Sequence, residues 1–252
     1  MYGFRRASRS GSKSATRALD VLALFGKEQS RLRAKQVGMA LGLQPSSTDL
    51  LLKTMVYSDY LIFDPITKEY EPSPKLMHFS SFATKIYWDS EKVSAILREL
   101  RDRSGALASI TLRNGDFMRV VHAEQPEGTH VGASIERAYP LDGISGRTLL
   151  SAYEDDEIAR ILDHAERHRN LGKDWSSTLL PAIRDTAARG FSFGETCSPK
   201  VWSAAALVTL GPRSANRVAV LAASGHKTYI QARGQAIIEV TRRLAEELGA
   251  LQ

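Results

Sequence analysis

The segment from Leu32 to Pro74 constrains the fold most, because two short helix patterns and a two-strand ribbon follow one another in it without a gap. Val37, Ala40 and Leu41 recur at spacings i, i+3 and i+4, which places them on one face of a helix. Gly42 comes directly after this pattern and can leave the helix in a left-handed conformation. The segment therefore begins with a short helix that ends in a tight turn.

A second helix is predicted to follow this turn. Pro45 suits the first turn of a helix, and Ser46 with Asp49 three residues later predicts a capping box. The apolar side chains of this helix are expected to face the first helix, while its polar side chains project outward. The inward set is Leu51, Leu52 and Met55, and the outward set is Ser47, Thr48 and Lys53.

A hairpin and a third helix complete the pattern. Residues 60–63 and 68–71 are short β-rich runs that flank a four-residue turn. Upstream, Ser14 or Thr16 is expected to cap a helix that packs across the other two. Its apolar residues are Leu19, Leu22 and Phe25. Three helices and a hairpin in this order predict a winged helix-turn-helix over residues 14–76.

The positive charge of the chain is concentrated in its first third. Residues 1–76 hold 12 Lys and Arg against 7 Asp and Glu, whereas residues 77–252 hold 22 against 21. Residues 1–13 are basic and rich in Ser, which predicts a flexible arm that reaches DNA phosphates or a minor groove. A tag remnant or a solubilising tail is the alternative for this arm. Since helix-turn-helix spacing also arises in ordinary helical proteins, this charge asymmetry is what favours DNA binding.

The candidate DNA-contacting residues are polar or basic side chains of this first third. The start of the second helix is expected to donate hydrogen bonds to phosphates or base edges, while Asp49 is assigned to the cap. For each cation taken alone, a solvated surface position is the alternative. The candidates are Arg9, Lys13, Arg17, Arg33, Lys35, Ser46, Ser47, Thr48, Lys53 and Lys68.

The rest of the chain predicts a linker helix over residues 77–89 and a second domain over residues 90–252. Apolar runs around Asn114 and Gly115 predict a hairpin. Further strands are expected at 131–135, 201–210 and 217–223, and helices at 90–100, 144–153, 155–167, 178–189 and 228–248. The fold class is therefore α+β, with helices packed on the faces of an antiparallel sheet.

Several classes of protein and site are disfavoured by the composition. Cys197 is the only cysteine, which excludes an internal disulfide and a zinc site built from cysteines of one chain. His164 and His168 lie at i, i+4 among charged residues and are expected to form an exposed helix face rather than a metal site. No apolar run reaches the length of a membrane helix and no secretion signal is recognised, so the protein is expected in the cytoplasm. We expect no cofactor.

From Arg17 to Leu248, the chain resembles the IclR family of bacterial transcription regulators. The residues that carry the resemblance occur in family order along the chain. They are Arg17-Ala18-Leu19-Asp20-Val21-Leu22, Ala40-Leu41-Gly42-Leu43, Tyr60-Leu61 with Tyr70, Tyr139-Pro140-Leu141, Gly146, Leu149-Leu150, Arg189-Gly190-Phe191 and Ala222-Ala223-Ser224-Gly225. The chain departs from the family pattern at Leu50, where an Arg is usual, at Asp59, where a Gly is common, and at Asp142, where a His is usual.

The resemblance implies a winged helix followed by a GAF-like effector domain that also forms oligomers. It implies an effector pocket formed by Ile144, Ser145, Glu195, Ser203, Ala222 and Ser224. Small polar residues on apolar strands suit the orientation of a small ligand. The alternative is that Ser203 and Ser224 bond to nearby backbone in a merely packed interior. The implied effector is a small carboxylate or aromatic acid.

The sequence thus predicts a ligand-responsive transcription regulator without catalytic activity, which binds double-stranded operator DNA as a homodimer or homotetramer. An enzyme for a small substrate with a basic accessory N-terminal domain is the first alternative. It is disfavoured because the sequence has no Gly-rich phosphate loop, nucleophile elbow or metal-ligand cluster. An architectural DNA-binding protein without an effector is the second, and the large, nearly neutral second domain disfavours it.

Overall fold

The computed structural model describes residues 12–27, 31–78, 90–128, 138–169, 174–209 and 218–250. The chain forms two compact units, Met1–Ala83 and Thr84–Gln252. The α+β class predicted from the sequence is confirmed. In the part of the chain that the structure describes, no helix has both the length and the apolar character needed to span a bilayer.

The first unit consists of three helices and a small sheet. Its elements are α1 (Lys13–Lys27), β1 (Leu32–Arg33), α2 (Ala34–Leu41), α3 (Pro45–Tyr57), β2 (Leu61–Asp64) and β3 (Glu69–Pro72). The three strands are antiparallel in the order β1-β3-β2, so the predicted hairpin β2–β3 is extended by a strand that the sequence analysis missed. The core joins Val21, Phe25, Val37, Leu52 and Met55 from the three helices.

The turn between α2 and α3 forms as predicted. Gly42 adopts φ 62°, in the left-handed region that glycine occupies at no steric cost. The N–H of Leu43 donates to the carbonyl oxygen of Gly38 at 2.8 Å, which closes the end of α2. Pro45 occupies the first turn of α3.

The predicted helix caps are wrong in detail. Gln44 is the N-cap of α3 and makes no side-chain cap, so Ser46 and Asp49 form no capping box. The α1 helix begins at Lys13, one residue after Ser12, whose hydroxyl accepts the N–H of Ala15 at 3.4 Å. Ser14 and Thr16 therefore lie inside α1 rather than at its start. Leu19 was expected in the core but is 67% exposed, whereas Phe25 is buried as predicted and Val21 is buried beside it.

The second unit is a six-stranded antiparallel sheet with helices on both faces. Its elements are α4 (Ser90–Ser104), β4 (Leu107–Asn114), β5 (Phe117–Glu124), β6 (Ala138–Pro140), α5 (Ile144–Leu150), α6 (Asp155–Arg169), α7 (Trp175–Arg189), β7 (Ser192–Glu195), β8 (Val201–Thr209), β9 (Val218–His226), α8 (Lys227–Ala232) and α9 (Gly234–Ala250). The strand order is β6-β5-β4-β9-β8-β7.

Two separate cores form because strand side chains alternate between the faces. Ala219, Leu221 and Ala223 of β9 pack in the core that contains residues of α4 and α9. Val220 and Ala222 pack in the opposite core, which contains residues of α5, α6 and α7. The sheet is therefore covered on both faces.

The structure corrects several predicted elements of this unit. The strands β6 and β7 were not predicted, and the final helix is divided at Arg233. The strand predicted at 131–135 lies outside the described residues. Of the predicted linker helix over 77–89, the described part is residues 77 and 78, which are helical.

Candidate DNA interface and effector cavity

The exposed face of α3 follows from which residues the helix buries. Thr48, Leu52 and Met55 are buried at spacings of four and three residues, so they define the inner face of α3. The opposite face exposes Ser46, Ser47 and Lys53, as predicted from the sequence. It also exposes Leu50, which is 68% accessible, and Tyr57, which is 90% accessible. The predicted polar face of α3 thus carries two large side chains that the sequence analysis did not include.

The predicted outward projection of the Thr48 side chain is wrong. Thr48 is buried at 1% exposure. Its hydroxyl donates to the carbonyl oxygen of Gln44 at 3.0 Å. A Cβ added at Gly38 would lie 3.1 Å from the Thr48 hydroxyl oxygen, so α2 and α3 pack closely at this point. Thr48 therefore belongs to the contact between these two helices.

Lys53 is the only cation of α3, and it is paired with an acid. Its ammonium lies 2.8 Å from the Asp49 carboxylate, one helical turn earlier. The hydrogen bond to Asp49, followed by the charge of Asp49, raises the pKa of Lys53. Asp49 therefore reduces the positive potential of α3 instead of capping the helix.

The other predicted cations differ in their surroundings. Arg33 lies 3.6 Å from the Glu69 carboxylate, across the β1–β3 pair. Among the described residues, neither Lys35 on α2 nor Lys68 in the hairpin turn forms an ion pair. Lys13 and Arg17 are exposed on α1, and Arg9 lies outside the described residues. Lys35 and Lys68 thus carry positive charge that no acid of the described residues neutralises.

The hairpin turn is held by an acid. One carboxylate oxygen of Asp64 accepts the backbone N–H groups of Ile66 at 2.8 Å and Thr67 at 3.4 Å. These hydrogen bonds, above all the one from Ile66, lower the pKa of Asp64. The turn presents Ile66, which is 89% exposed, and Lys68 to solvent. A fixed turn with one apolar and one cationic side chain suits contact with a nucleic-acid backbone.

The second unit contains a cavity of about 60 Å³ between the sheet and the start of α5. Four of the predicted effector residues line it: Ile144, Ser145, Ser203 and Ser224. The sequence analysis missed the others, which are Ser109, Thr111, Val120, Tyr139, Pro140, Gly143, Thr196, Cys197, Ser198 and Val201. No charged side chain of the described residues lines this cavity.

Glu195 and Ala222 do not line the cavity, for two different reasons. Glu195 pairs with Trp202 in the sheet, one position away from the pair of Gly194 with Ser203. Since side chains alternate along a strand, Glu195 points to the other face of the sheet from Ser203. Ala222 shares the face of Ser224 but is only 2% exposed, because the apolar core under α5 covers it.

The Ser203 and Ser224 side chains lie opposite each other on β8 and β9 and are hydrogen-bonded. The Ser224 hydroxyl donates to the Ser203 oxygen at 3.0 Å, and the Ser203 hydroxyl donates to the Ala223 carbonyl at 3.2 Å. The backbone bond expected under the alternative interpretation is thus present, yet both residues also face the cavity. With both hydrogens bound within the protein, the pair offers free acceptor lone pairs to a ligand.

The N-terminal part of the chain matches the family model of the IclR helix-turn-helix domain over residues 14–65. The HTH-type transcriptional regulator XynR of Escherichia coli K12 is 25% identical over 186 residues, which cover 71% of this chain and 73% of that protein. Both matches concern transcription regulators rather than enzymes, which agrees with the sequence prediction.

Two solved structures share the fold along nearly the whole chain. An IclR transcriptional regulator from Alicyclobacillus acidocaldarius has a TM-score of 0.65 at 17% identity and covers 96% of this chain and 99% of its own. An IclR homolog from Microbacterium hydrocarbonoxydans, complexed with 4-hydroxybenzoate, has a TM-score of 0.65 at 13% identity and covers 94% of this chain and 98% of its own. The arrangement of a winged helix and a helix-covered sheet in one chain is therefore common to all three.

Proposed function

Because the chain belongs to the IclR family of transcriptional regulators, we propose that it binds operator DNA through its first unit and that a small organic effector in the cavity controls this binding. The exposed face of α3 enters the major groove, as recognition helices of this type do. The observation that carries the proposal is the set of exposed side chains on α3 and the hairpin, which lie opposite the buried core of the first unit. The protein acts in the cytoplasm.

The phosphate contacts are assigned to the unpaired cations. Lys35 on α2 and Lys68 in the hairpin turn have no acid to neutralise them among the described residues. Each phosphate that a cation neutralises contributes about 0.9 to the slope of log binding constant against log salt concentration. Replacing both lysines with Gln is therefore expected to reduce this slope by about 2.

This proposal is tested on the full chain with an operator obtained by selection from random duplex DNA. The variant Lys35→Gln/Lys68→Gln is compared with the unchanged protein and with Lys92→Gln, an exposed lysine of the second unit. The salt slope of binding is measured for each protein. A slope that is the same in the double variant and the control contradicts the proposed interface.

We propose that the functional form is a homodimer or homotetramer that places two winged helices on two half-sites. The effector binds two conformations of the protein with unequal affinity, and the predicted linker over 77–89 carries this difference to the DNA-binding units. Linking two half-site contacts raises the overall affinity by an effective concentration. The isolated segment 1–88 is therefore expected to bind a full operator more weakly than the full chain. Equal affinity contradicts the oligomeric proposal.

The effector is proposed to be a small organic compound with a hydroxyl group. The predicted carboxylate or aromatic acid fits this class when it carries a hydroxyl, since the Ser203–Ser224 pair accepts hydrogen bonds and the described residues place no cation in the cavity wall. The cavity of about 60 Å³ suits a small ligand.

Matched probe compounds test this part of the proposal. Glycolate and lactate, which carry a hydroxyl, are compared with acetate and propionate by thermal shift on the full chain. We expect stabilisation by the hydroxy acids only, and its loss in Ser224→Leu, which fills the cavity. DNA binding by Ser224→Leu is expected to persist, because α3 has its own core. A folded Ser203→Leu/Ser224→Leu double variant that keeps an effector response places the pocket elsewhere.

A further inference from the structure

A carboxylate and two imidazoles meet at one edge of the second unit. Asp116 lies in the turn between β4 and β5, and His164 and His168 lie one helical turn apart on α6. The Nδ1 atom of His164 is 2.8 Å from one Asp116 oxygen, and the Nδ1 atom of His168 is 3.8 Å from the other. All three residues offer a metal-ligating atom within 4.8 Å of the others. The sequence analysis considered the two histidines alone and so missed the acid.

Hydrogen bonding accounts for only part of this cluster. The contact of His164 with Asp116 has the length of a hydrogen bond, whereas 3.8 Å between His168 and Asp116 is too long for one. The two imidazole rings lie 4.2 Å apart between their centroids and are tilted by 30°. The second imidazole is thus held next to the acid without a hydrogen bond to it.

The spacing of the three atoms suits a transition-metal ion. Zinc binds His nitrogen at about 2.0–2.1 Å and carboxylate oxygen at about 2.0–2.2 Å, so two ligands of a tetrahedral ion lie about 3.4 Å apart. The separations of 2.8 Å to one Asp116 oxygen and 3.8 Å to the other lie on either side of this value. Since one ligand atom of each residue lies within 4.8 Å of the others, side-chain rotations bring two imidazole nitrogens and one Asp116 oxygen onto one face of a tetrahedron.

The surroundings leave room for the remaining ligand and hold the acid in place. The side chains of His164 and His168 are 55% and 65% exposed, so water can occupy the fourth position, whereas that of Asp116 is only 12% exposed. Arg167, which precedes His168 on α6, is paired with Asp163. Arg169 lies over the ring of Phe117, 5.1 Å from its centroid.

We propose that Asp116, His164 and His168 form a binding site for a divalent transition-metal ion. Two imidazoles and one carboxylate are the donor set of zinc and its borderline neighbours, whereas calcium and magnesium prefer oxygen ligands alone. The bound ion joins the β4–β5 hairpin to α6. Since β4 and β5 also carry Ser109, Thr111 and Val120 of the cavity wall, the ion stabilises the strands on which the cavity is formed.

The experiment titrates zinc and cobalt into the full chain in a Cys197→Ser background. This background is needed because the thiol of Cys197 is exposed and thiolates bind the same metals. We expect one equivalent of Zn²⁺ per chain by calorimetry, a cobalt absorption spectrum typical of tetrahedral coordination, and no binding of Mg²⁺. We also expect His164→Gln and His168→Gln each to weaken zinc binding at least tenfold.

His226→Gln is the matched control, because His226 is an exposed histidine outside the cluster. Zinc binding that is absent from the parent protein, or that persists unchanged in both cluster variants, overturns the proposal. Both cluster histidines are exposed, so these variants are expected to fold, and circular dichroism checks this. Asp116→Ala supplies an independent third variant and is expected to lose binding as well.

Discussion

Gly146 provides the sharpest test of how α5 packs against the turn before it, because no side chain fits at this position. A Cβ atom added there would lie 2.1 Å from the carbonyl oxygen and 2.5 Å from the Cα atom of Leu141. Both obstructing atoms belong to the backbone and cannot rotate away. The variant Gly146→Ala therefore forces α5 and the turn before it apart by about 1 Å, given that such atoms approach to about 3 Å at closest.

The stability cost can be worked from this geometry. Overpacking typically costs about 1–3 kcal/mol, and a backbone obstruction places Gly146→Ala at the upper end. The higher helix propensity of Ala returns about 1 kcal/mol. We expect a net loss of about 2 kcal/mol in the free energy of unfolding. For a unit of this size, that loss lowers the melting temperature by about 4–8 °C.

Urea denaturation of the full chain, followed by tryptophan fluorescence, measures this loss. Gly143→Ala is the control, since it lies in the same segment and its added Cβ would approach the Pro140 carbonyl oxygen no closer than 3.4 Å. We expect the control to change stability by no more than about 0.5 kcal/mol. If Gly146→Ala is as stable as Gly143→Ala, the close contact of α5 with Leu141 is wrong.

Two further predictions concern residues 1–13 and the packing of α3. Deleting residues 1–13 removes four cations. We expect this deletion to lower the salt slope of DNA binding by up to about 3–4 and to keep the operator preference. An unchanged slope means that the arm makes no phosphate contacts. Thr48→Ala is expected to lower stability by about 1–2 kcal/mol, measured by urea denaturation, because it removes a buried methyl group and the bond to Gln44. An unchanged stability with weaker DNA binding would instead return Thr48 to the interface.

Elements with a strong local signal could be predicted from the sequence. The β4–β5 hairpin forms as predicted, but Asn114 pairs with Phe117, so the two turn residues are Gly115 and Asp116, and Gly115 adopts φ 63°. The helix α7 ends at Gly190, which is left-handed with φ 75°. In both cases a few neighbouring residues determine the backbone, so no distant partner is needed. The strands β1, β6 and β7 were missed because they are two to four residues long and form only against a partner strand.

The candidate site shows the same division between local and distant information. The inward position of Thr48 could have been found, since it precedes Leu52 and Met55 by four and seven residues on one helix face. The helical periodicity predicts that Thr48 lies on the buried face. The sequence analysis placed it on the exposed face because Thr is polar. The contribution of Ser109 to the cavity depends on its pairing with Ala222 of β9, more than a hundred residues later. No pattern within β4 specifies that pairing.

Asp59 occupies a position at which a Gly is common in the family pattern. Substitutions there test whether the backbone conformation explains this preference. Asp59 adopts φ 60°, and its N–H donates to the Val56 carbonyl at 2.9 Å, so the chain leaves α3 in the left-handed conformation that a Gly would adopt freely. This conformation costs an Ala about 1–2 kcal/mol, and Asp visits it more readily. A Gly avoids the strain but loses about 0.4–1 kcal/mol through the entropy of the unfolded chain.

We therefore expect Asp59→Gly to be more stable than Asp59→Ala by about 1 kcal/mol, measured by urea denaturation of both variants. The two variants remove the same charge and the same exposed contact with Lys75 at 4.0 Å, so electrostatics cancels in their difference. Their DNA affinities are expected to rise equally, because each loses one acid beside α3. An Ala variant as stable as the Gly variant refutes the left-handed turn at Asp59, whereas unequal DNA affinities show that the turn also positions α3 against the operator.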